Sequence, residues 1–313
     1  MMFKELFKLK WNSGKVLLKK YLLDEYLKKL GVNLPNEGKF EKLIDELSYF
    51  KSSVGDNEII NFNYERGYIL YSLVAHLKPK NILEYGTAQG FGTLCMAWAM
   101  NDFGIDGKIH TIDYVTHDQK FLQYFKKSEK INQRITSRRK LWKGLAEKSW
   151  TDKIQVLSGY TANIVANKKL PPIDFFFIDG PHFYRGFKHD FMSSILLSNS
   201  NPFFLFDDYI DRPDYGVKKL VDKELINKFK TTLIKNDQSE RPIRNGITKS
   251  DYGMCTLEAS KNELIDNFGL NNIKNYLKEY KHYENRLKLR NVLNKKIPFL
   301  KNIRFSKIFK PKI

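Results

Sequence analysis

The sequence predicts a doubly wound α/β fold around a mostly parallel sheet, on three observations. From residue 81 onward, short β-rich apolar runs alternate with helical stretches. Two of the runs, 173–178 (IDFFFI) and 203–206 (FFLF), stay apolar almost without interruption, as strands covered on both faces do. The first run feeds a glycine-rich turn, GTAQGFG at 86–92, which opens an apolar helix. No apolar run approaches the roughly 18 residues that a membrane span needs. The N-terminus shows no cleavable signal pattern, so a cytoplasmic protein is expected.

Before that region the periodicity is helical. Leu18, Leu22, Leu23, Tyr26, Leu27 and Leu30 recur at helical spacing and predict a helix over 13–31, with Ser13 as N-cap and Gly31 as C-cap. Further helices are expected around 39–50 and 64–77. Strands are expected at 81–85, 108–113, 153–158, 173–179, 202–207, 231–236 and 252–258. The stretch 114–152 is too long for one crossover helix and rich in Lys and Arg. It reads as two helices, the first part of a lid. After Ser260 the chain reads as helical to about 293 and then as a basic tail. The resulting division is a helical cap over 1–60, a central α/β domain over 61–260 and a helical, basic extension over 261–313. Cys95 and Cys255, each in an apolar stretch, read as reduced and buried thiols.

A net charge of +19 invites a nucleic-acid reading until it is located. Residues 281–313 contribute +10 and residues 1–30 contribute +5, which leaves +4 for the other 250 residues. The basic ends are interleaved with apolar residues: Phe3, Phe7 and Trp11 at one end, Phe299, Ile303 and Phe309 at the other. Such ends suit an anionic membrane surface. Packing on the body or on a second subunit, which would make a homo-oligomer, stays open beside it.

The chemistry concentrates at strand ends. Glu84 precedes Gly86, Gly90 and Gly92, in a spacing unlike the dinucleotide fingerprint. An acid there would repel a pyrophosphate but suit a sulfonium ligand carrying an amino group. Asp113 ends the next strand, 27 residues after Gly86, where an acid accepts hydrogen bonds from ribose hydroxyls. Asp179 ends the fourth strand and Asp207 and Asp208 the fifth, beside the crevice of such a sheet. Three converging carboxylates call for a cation, and hard oxygen ligands suit Mg²⁺. Strand-end acids also cap helices, so that alternative stays open. His182, three residues after Asp179, is the candidate base, and Tyr184 and Arg185 follow it. The segment 212–217 (RPDYGV) reads as a loop close enough to this site to contact an acceptor, or as an ordinary turn into the next helix.

Residues 81–113 resemble motifs I and II of class I S-adenosylmethionine-dependent methyltransferases, and the resemblance runs from about 60 to 260. It implies a Rossmann-like sheet of seven strands with the last antiparallel. It also implies that the loop of Gly86, Thr87, Gly90 and Thr93 holds the methionine part of S-adenosylmethionine and Asp113 its ribose. Where the family often has an acid near the adenine, this chain has Ser158-Gly159-Tyr160, so either Gly159 and an aromatic contact from Tyr160 take that place or the adenine pocket differs. The pattern IDGPHFY (178–184) with FDDY (206–209) resembles metal-dependent O-methyltransferases, the macrocin and mycinamicin sugar type above the catechol and caffeoyl-CoA type. By that resemblance Asp179, Asp207 and Asp208 hold the metal. The expected activity is Mg²⁺-assisted methylation of a hydroxyl on a small molecule or glycan unit. A nucleic-acid methyltransferase is disfavoured, because the fourth strand ends in Asp-Gly-Pro-His and not in an Asn/Asp-Pro-Pro-aromatic motif. A non-methylating Rossmann cofactor binder remains the third reading.

Overall fold

A computed structural model of the protein describes residues 18–35, 37–51, 59–61, 64–211, 215–235 and 253–296. Both basic ends beyond these limits, and Arg212 to Asp214 of the expected acceptor loop, lie outside the described residues. The described residues begin with a strand, β1 (Lys19–Leu22), and a helix, α1 (Leu23–Leu30), closed by Gly31 in the left-handed region. This corrects the expected helix over 13–31. Residues 19–22 pair instead along the free edge of the main sheet, where backbone hydrogen bonds outweigh a helical period that continues only from Leu23. Helix α2 (Glu37–Leu47), the short antiparallel pair β2 (Tyr49–Lys51) and β3 (Ile59–Asn61), and helix α3 (Glu65–Leu77) follow.

The alternation then starts: β4 (Asn81–Tyr85), α4 (Phe91–Asp102) and β5 (Lys108–Asp113). Next come two antiparallel strands, β6 (Lys120–Lys127) and β7 (Lys130–Ser137), and two helices, α5 (Arg138–Leu145) and α6 (Lys148–Thr151). The helix expected early in 114–152 is therefore a β-hairpin. Its Phe-, Tyr-, Ile- and Thr-containing runs favour strands. Ser128 and Glu129 turn with φ of +50° and +60°, a mirror-image turn that the sequence does not announce with Asn or Gly. The rest is β8 (Ile154–Ser158), α7 (Thr161–Asn167), β9 (Ile173–Ile178), α8 (Tyr184–Leu197) and β10 (Ser198–Phe206). Helix α9 (Val217–Leu220) runs on into a π turn, and β11 (Lys230–Lys235), β12 (Gly253–Glu258), α10 (Lys261–Phe268) and α11 (Leu270–Lys296) complete the described residues.

Eight strands form one sheet in the order β1-β11-β12-β10-β9-β4-β5-β8. Seven match the expectation, with β12, the last in sequence, antiparallel to both neighbours, and β1 adds an eighth. Burial explains the uninterrupted apolar runs. Along β9, Phe175 and Phe177 join a core with α3 and α4, while Phe176 and Ile178 join a core with α8. Cys95 and Cys255 are free and buried, as expected. Among the described residues no helix is long and apolar enough to cross a membrane. The strand order reverses between β4 and β9, and in such sheets the ligand crevice opens at the carboxyl ends beside that switch point.

Candidate active site

The turn after β4 is built for close approach. Gly86 has φ of +94°, and a Cβ there would stand 2.1 Å from the Asp179 carbonyl oxygen. Its missing side chain lets the ends of β4 and β9 touch. Gly90, at φ of +97°, leaves room for the Trp142 ring, whose Nε1 donates to the Gln89 carbonyl at 2.9 Å. Gly86→Ala combines a left-handed φ with a backbone clash that cannot yield. It is expected to destabilise the fold by at least about 2 kcal/mol in urea titrations.

Beneath this loop Glu84, Thr87 and Thr93 turn toward one another and not into the crevice. The hydroxyls of Thr93 and Thr111 both donate to Glu84 Oε2, and Thr87 Oγ1 lies 2.5 Å from Thr111 Oγ1. All four residues are buried. Burial pushes the Glu84 carboxyl up to about 7 although both threonine hydroxyls favour its charge. What the loop offers the crevice is backbone, at the N-terminal end of α4.

Asp113 ends β5 with both oxygens engaged. Oδ1 accepts from Val115 N at 2.8 Å; Oδ2 accepts from Ala88 N at 2.7 Å and from Arg138 Nη2 at 2.9 Å. Arg138 is itself buried and also donates to the Ala88 carbonyl, so it staples the glycine loop to Asp113. In sequence it sits in a basic run that reads as solvated, and nothing there signalled its role. Gly159 N donates to the Asp113 carbonyl, which places 158–160 beside the same crevice. Exposed Tyr160 and Tyr114 stack with ring centres 6.1 Å apart, and Lys288 Nζ lies 4.3 Å from the Tyr160 ring centre. Tyr114 was not anticipated, though its place directly after Asp113 carries the signal.

The three carboxylates do converge, and a protein cation already lies among them. Arg66 Nη1, from α3, donates to Asp179 Oδ2 at 2.7 Å and to Asp207 Oδ2 at 2.8 Å. The remaining oxygen of Asp207 accepts from Asp208 N at 2.9 Å. Burial works against the guanidinium charge, but Asp179 and Asp207 outweigh it and hold Arg66 above its ordinary value. An arginine in the first turn of a largely apolar helix was the signal available for it. On the outer side, His182 Nε2 stands 3.1 Å from Asp208 Oδ2 and 3.7 Å from Asp179 Oδ1. Burial opposes the imidazolium too, yet Asp208 and Asp179 raise it to about 9. Burial pushes Asp208 up to about 7 against the pull of His182. Asp179, His182 and Asp208 each offer a ligand atom within 4.8 Å of the others. The Tyr215 ring packs 4.8 Å from His182, so the end of the 212–217 segment does reach the cluster. Tyr184 and Arg185 point elsewhere: the Tyr184 hydroxyl donates to Glu224, and Arg185 lies over the Tyr283 ring.

Residues 83–209, from β4 through the Asp207-Asp208 pair, match a family model described as a methyltransferase domain. Over that stretch, which spans the glycine loop, Asp113 and the carboxylate cluster, the chain is similar to methyltransferase domains. An O-methyltransferase from Bacillus cereus, solved in complex with SAH, is similar at a TM-score of 0.47 and 16% identity, over 76% of this chain and 96% of that one. The O-methyltransferase TomG from Streptomyces achromogenes, involved in tomaymycin synthesis and solved with SAM, gives 0.46 and 18%, over 76% and 95%. No curated protein sequence matches the chain.

Proposed function

We propose that the protein transfers the methyl group of S-adenosylmethionine to a hydroxyl oxygen of a small molecule or glycan unit, assisted by a divalent cation. The observation that carries this reading is the Asp179, His182 and Asp208 cluster, set across the β4–β9 switch point from Asp113 and the glycine loop. The donor set fits a small divalent ion such as Mg²⁺ or Mn²⁺. Asp208 Oδ1 is buried with no hydrogen-bond partner among the described residues, a cost that a ligand would relieve. Asp207, with both oxygens committed, supports Arg66 and leaves the ion to Asp179 and Asp208, with His182 beside them as the base. When bound, such an ion would chelate the acceptor hydroxyl and lower its pKa.

The chain's own residues do the rest. The backbone at the start of α4 receives the methionine carboxylate, as helix N-termini receive anions. Asp113 takes the ribose hydroxyls, and Tyr114 and Tyr160 flank the adenine. The transfer is an in-line displacement at the sulfonium methyl, so alignment of the acceptor oxygen is the main task. His182 can accept the acceptor's proton only once it is neutral, and the two aspartates hold it cationic while nothing else balances their charge.

Calorimetry with S-adenosylmethionine against NAD, then transfer of a labelled methyl group to a panel of hydroxylated acceptors, tests the reading. Binding of NAD alone would overturn it, as would label appearing only in RNA or DNA. Asp113→Asn, which can keep a contact to Arg138, is expected to weaken S-adenosylmethionine binding by about 1–3 kcal/mol. Unchanged affinity in the folded variant would remove Asp113 from the ribose site.

A further inference from the structure

The hairpin β6–β7 is anchored on one face and open on the other. Inward, Phe121 packs on the core, Gln123 donates to the Glu46 carbonyl of α2, and Arg134 Nε donates to Gln123 Oε1 at 2.7 Å. Strand alternation sends Leu122 and its cross-strand partner Ile135, with Ile131 opposite Lys126, to the other side. Leu122 is 50% exposed, Ile131 40% and Ile135 72%. Around them residues 120–143 carry nine Lys or Arg and a single acid, Glu129. Lys126, Arg134, Arg138 and Arg139 have carboxylate partners. Lys120, Lys127, Lys130, Lys140 and Lys143 have none among the described residues.

We propose that this hairpin docks the protein on an anionic lipid surface, with the aliphatic side chains entering the interface and the lysines meeting headgroup phosphates. Exposed Leu and Ile within a field of unpaired Lys is the combination that interfacial binding needs. A single-stranded nucleic acid would call for exposed rings to stack on. Here Phe121 faces the core, Phe125 lies under Arg134, 4.5 Å from its guanidinium carbon, and Tyr124, the hairpin's one ring on the open face, is half-buried. A second copy docking symmetrically would set like-charged patches against each other. The surface is part of the fold and independent of the basic ends. Strand β7 leads directly into Arg138, so docking there would hold the glycine loop and Asp113 beside the lipid.

The test is co-sedimentation of the full chain, at low salt, with vesicles of phosphatidylcholine alone or mixed with phosphatidylglycerol. The parent is expected to bind the mixed vesicles and not the neutral ones. Lys120→Ala, on the open face, with Lys130→Ala, exposed beside the turn, should lower partitioning roughly 30-fold, about fivefold per lysine. Leu122→Ser with Ile135→Ser should lower it on the order of tenfold at unchanged charge. Unchanged S-adenosylmethionine affinity in both pairs shows that the domain still folds. Equal binding by parent and both pairs would overturn the proposal and leave the basic ends as the lipid contact. So would no binding by the parent, or a Leu122→Ser/Ile135→Ser pair that changes the oligomeric state but not vesicle binding.

Discussion

Arg66→Met is expected to cost the protein about 3–5 kcal/mol, because it removes the cation from two buried carboxylates while nearly preserving side-chain volume. Arg66 is 7% exposed and Asp207 1%, so water cannot readily take over the charge. Urea unfolding followed by tryptophan fluorescence would show the midpoint fall. Two features separate lost charge balance from lost packing. First, Asp207→Asn added to Arg66→Met should recover part of the loss, since one orphaned charge is then gone. Second, the loss should shrink on acidification. Burial already holds the carboxyls of Asp207 and Asp208 above their ordinary range, Asp208 at about 7. A carboxyl whose folded pKa is raised takes up protons more readily folded than unfolded, so its penalty is full above the folded value and fades below it. Removing Arg66 raises these values further. The gap between parent and variant is therefore widest above pH 7 and closes toward the ordinary carboxylate range near 4. A variant as stable as its parent at neutral pH would show that the guanidinium is not the counter-charge.

Much of the sheet was legible because its strands are buried on both faces, and composition alone then separates them from helices. Runs 173–178 and 203–206 are the clearest cases, with successive phenylalanines assigned to opposite cores. The glycine turn and Asp113 were legible because backbone geometry demands glycine at φ near +95° and because the acid follows at a fixed distance along the next strand. The hairpin was not. Its turn uses Ser128 and Glu129 at positive φ, which local sequence seldom encodes without Gly or Asn. Strand β1 was not legible either, since edge pairing with β11 is a long-range choice that four residues cannot signal. At the carboxylate cluster the three acids pointed to a cation, but the sequence could not show that Arg66, 113 residues before Asp179, bridges Asp179 and Asp207.

That division of labour makes the ion site testable residue by residue. With Mn²⁺ as probe, calorimetry on the full chain is expected to show one site. Asp179→Asn and Asp208→Asn should each weaken it by more than about a hundredfold, as loss of a charged ligand does, while Asp207→Asn should weaken it about tenfold, at the low end for a supporting residue. Once an acceptor is in hand, excess chelator, Asp179→Asn and Asp208→Asn should each lower turnover about a thousandfold. That corresponds to about 4 kcal/mol of lost stabilisation of the developing alkoxide. S-adenosylmethionine affinity should stay within a few-fold of the parent, because Asp113 and the glycine loop lie across the crevice from the cluster. If parent activity survives chelation while both variants remain inactive, the carboxylates act on the acceptor directly and the ion has no part. If Asp207→Asn abolishes Mn²⁺ binding as fully as Asp208→Asn, then Arg66 yields its place when the ion arrives, and all three aspartates are ligands.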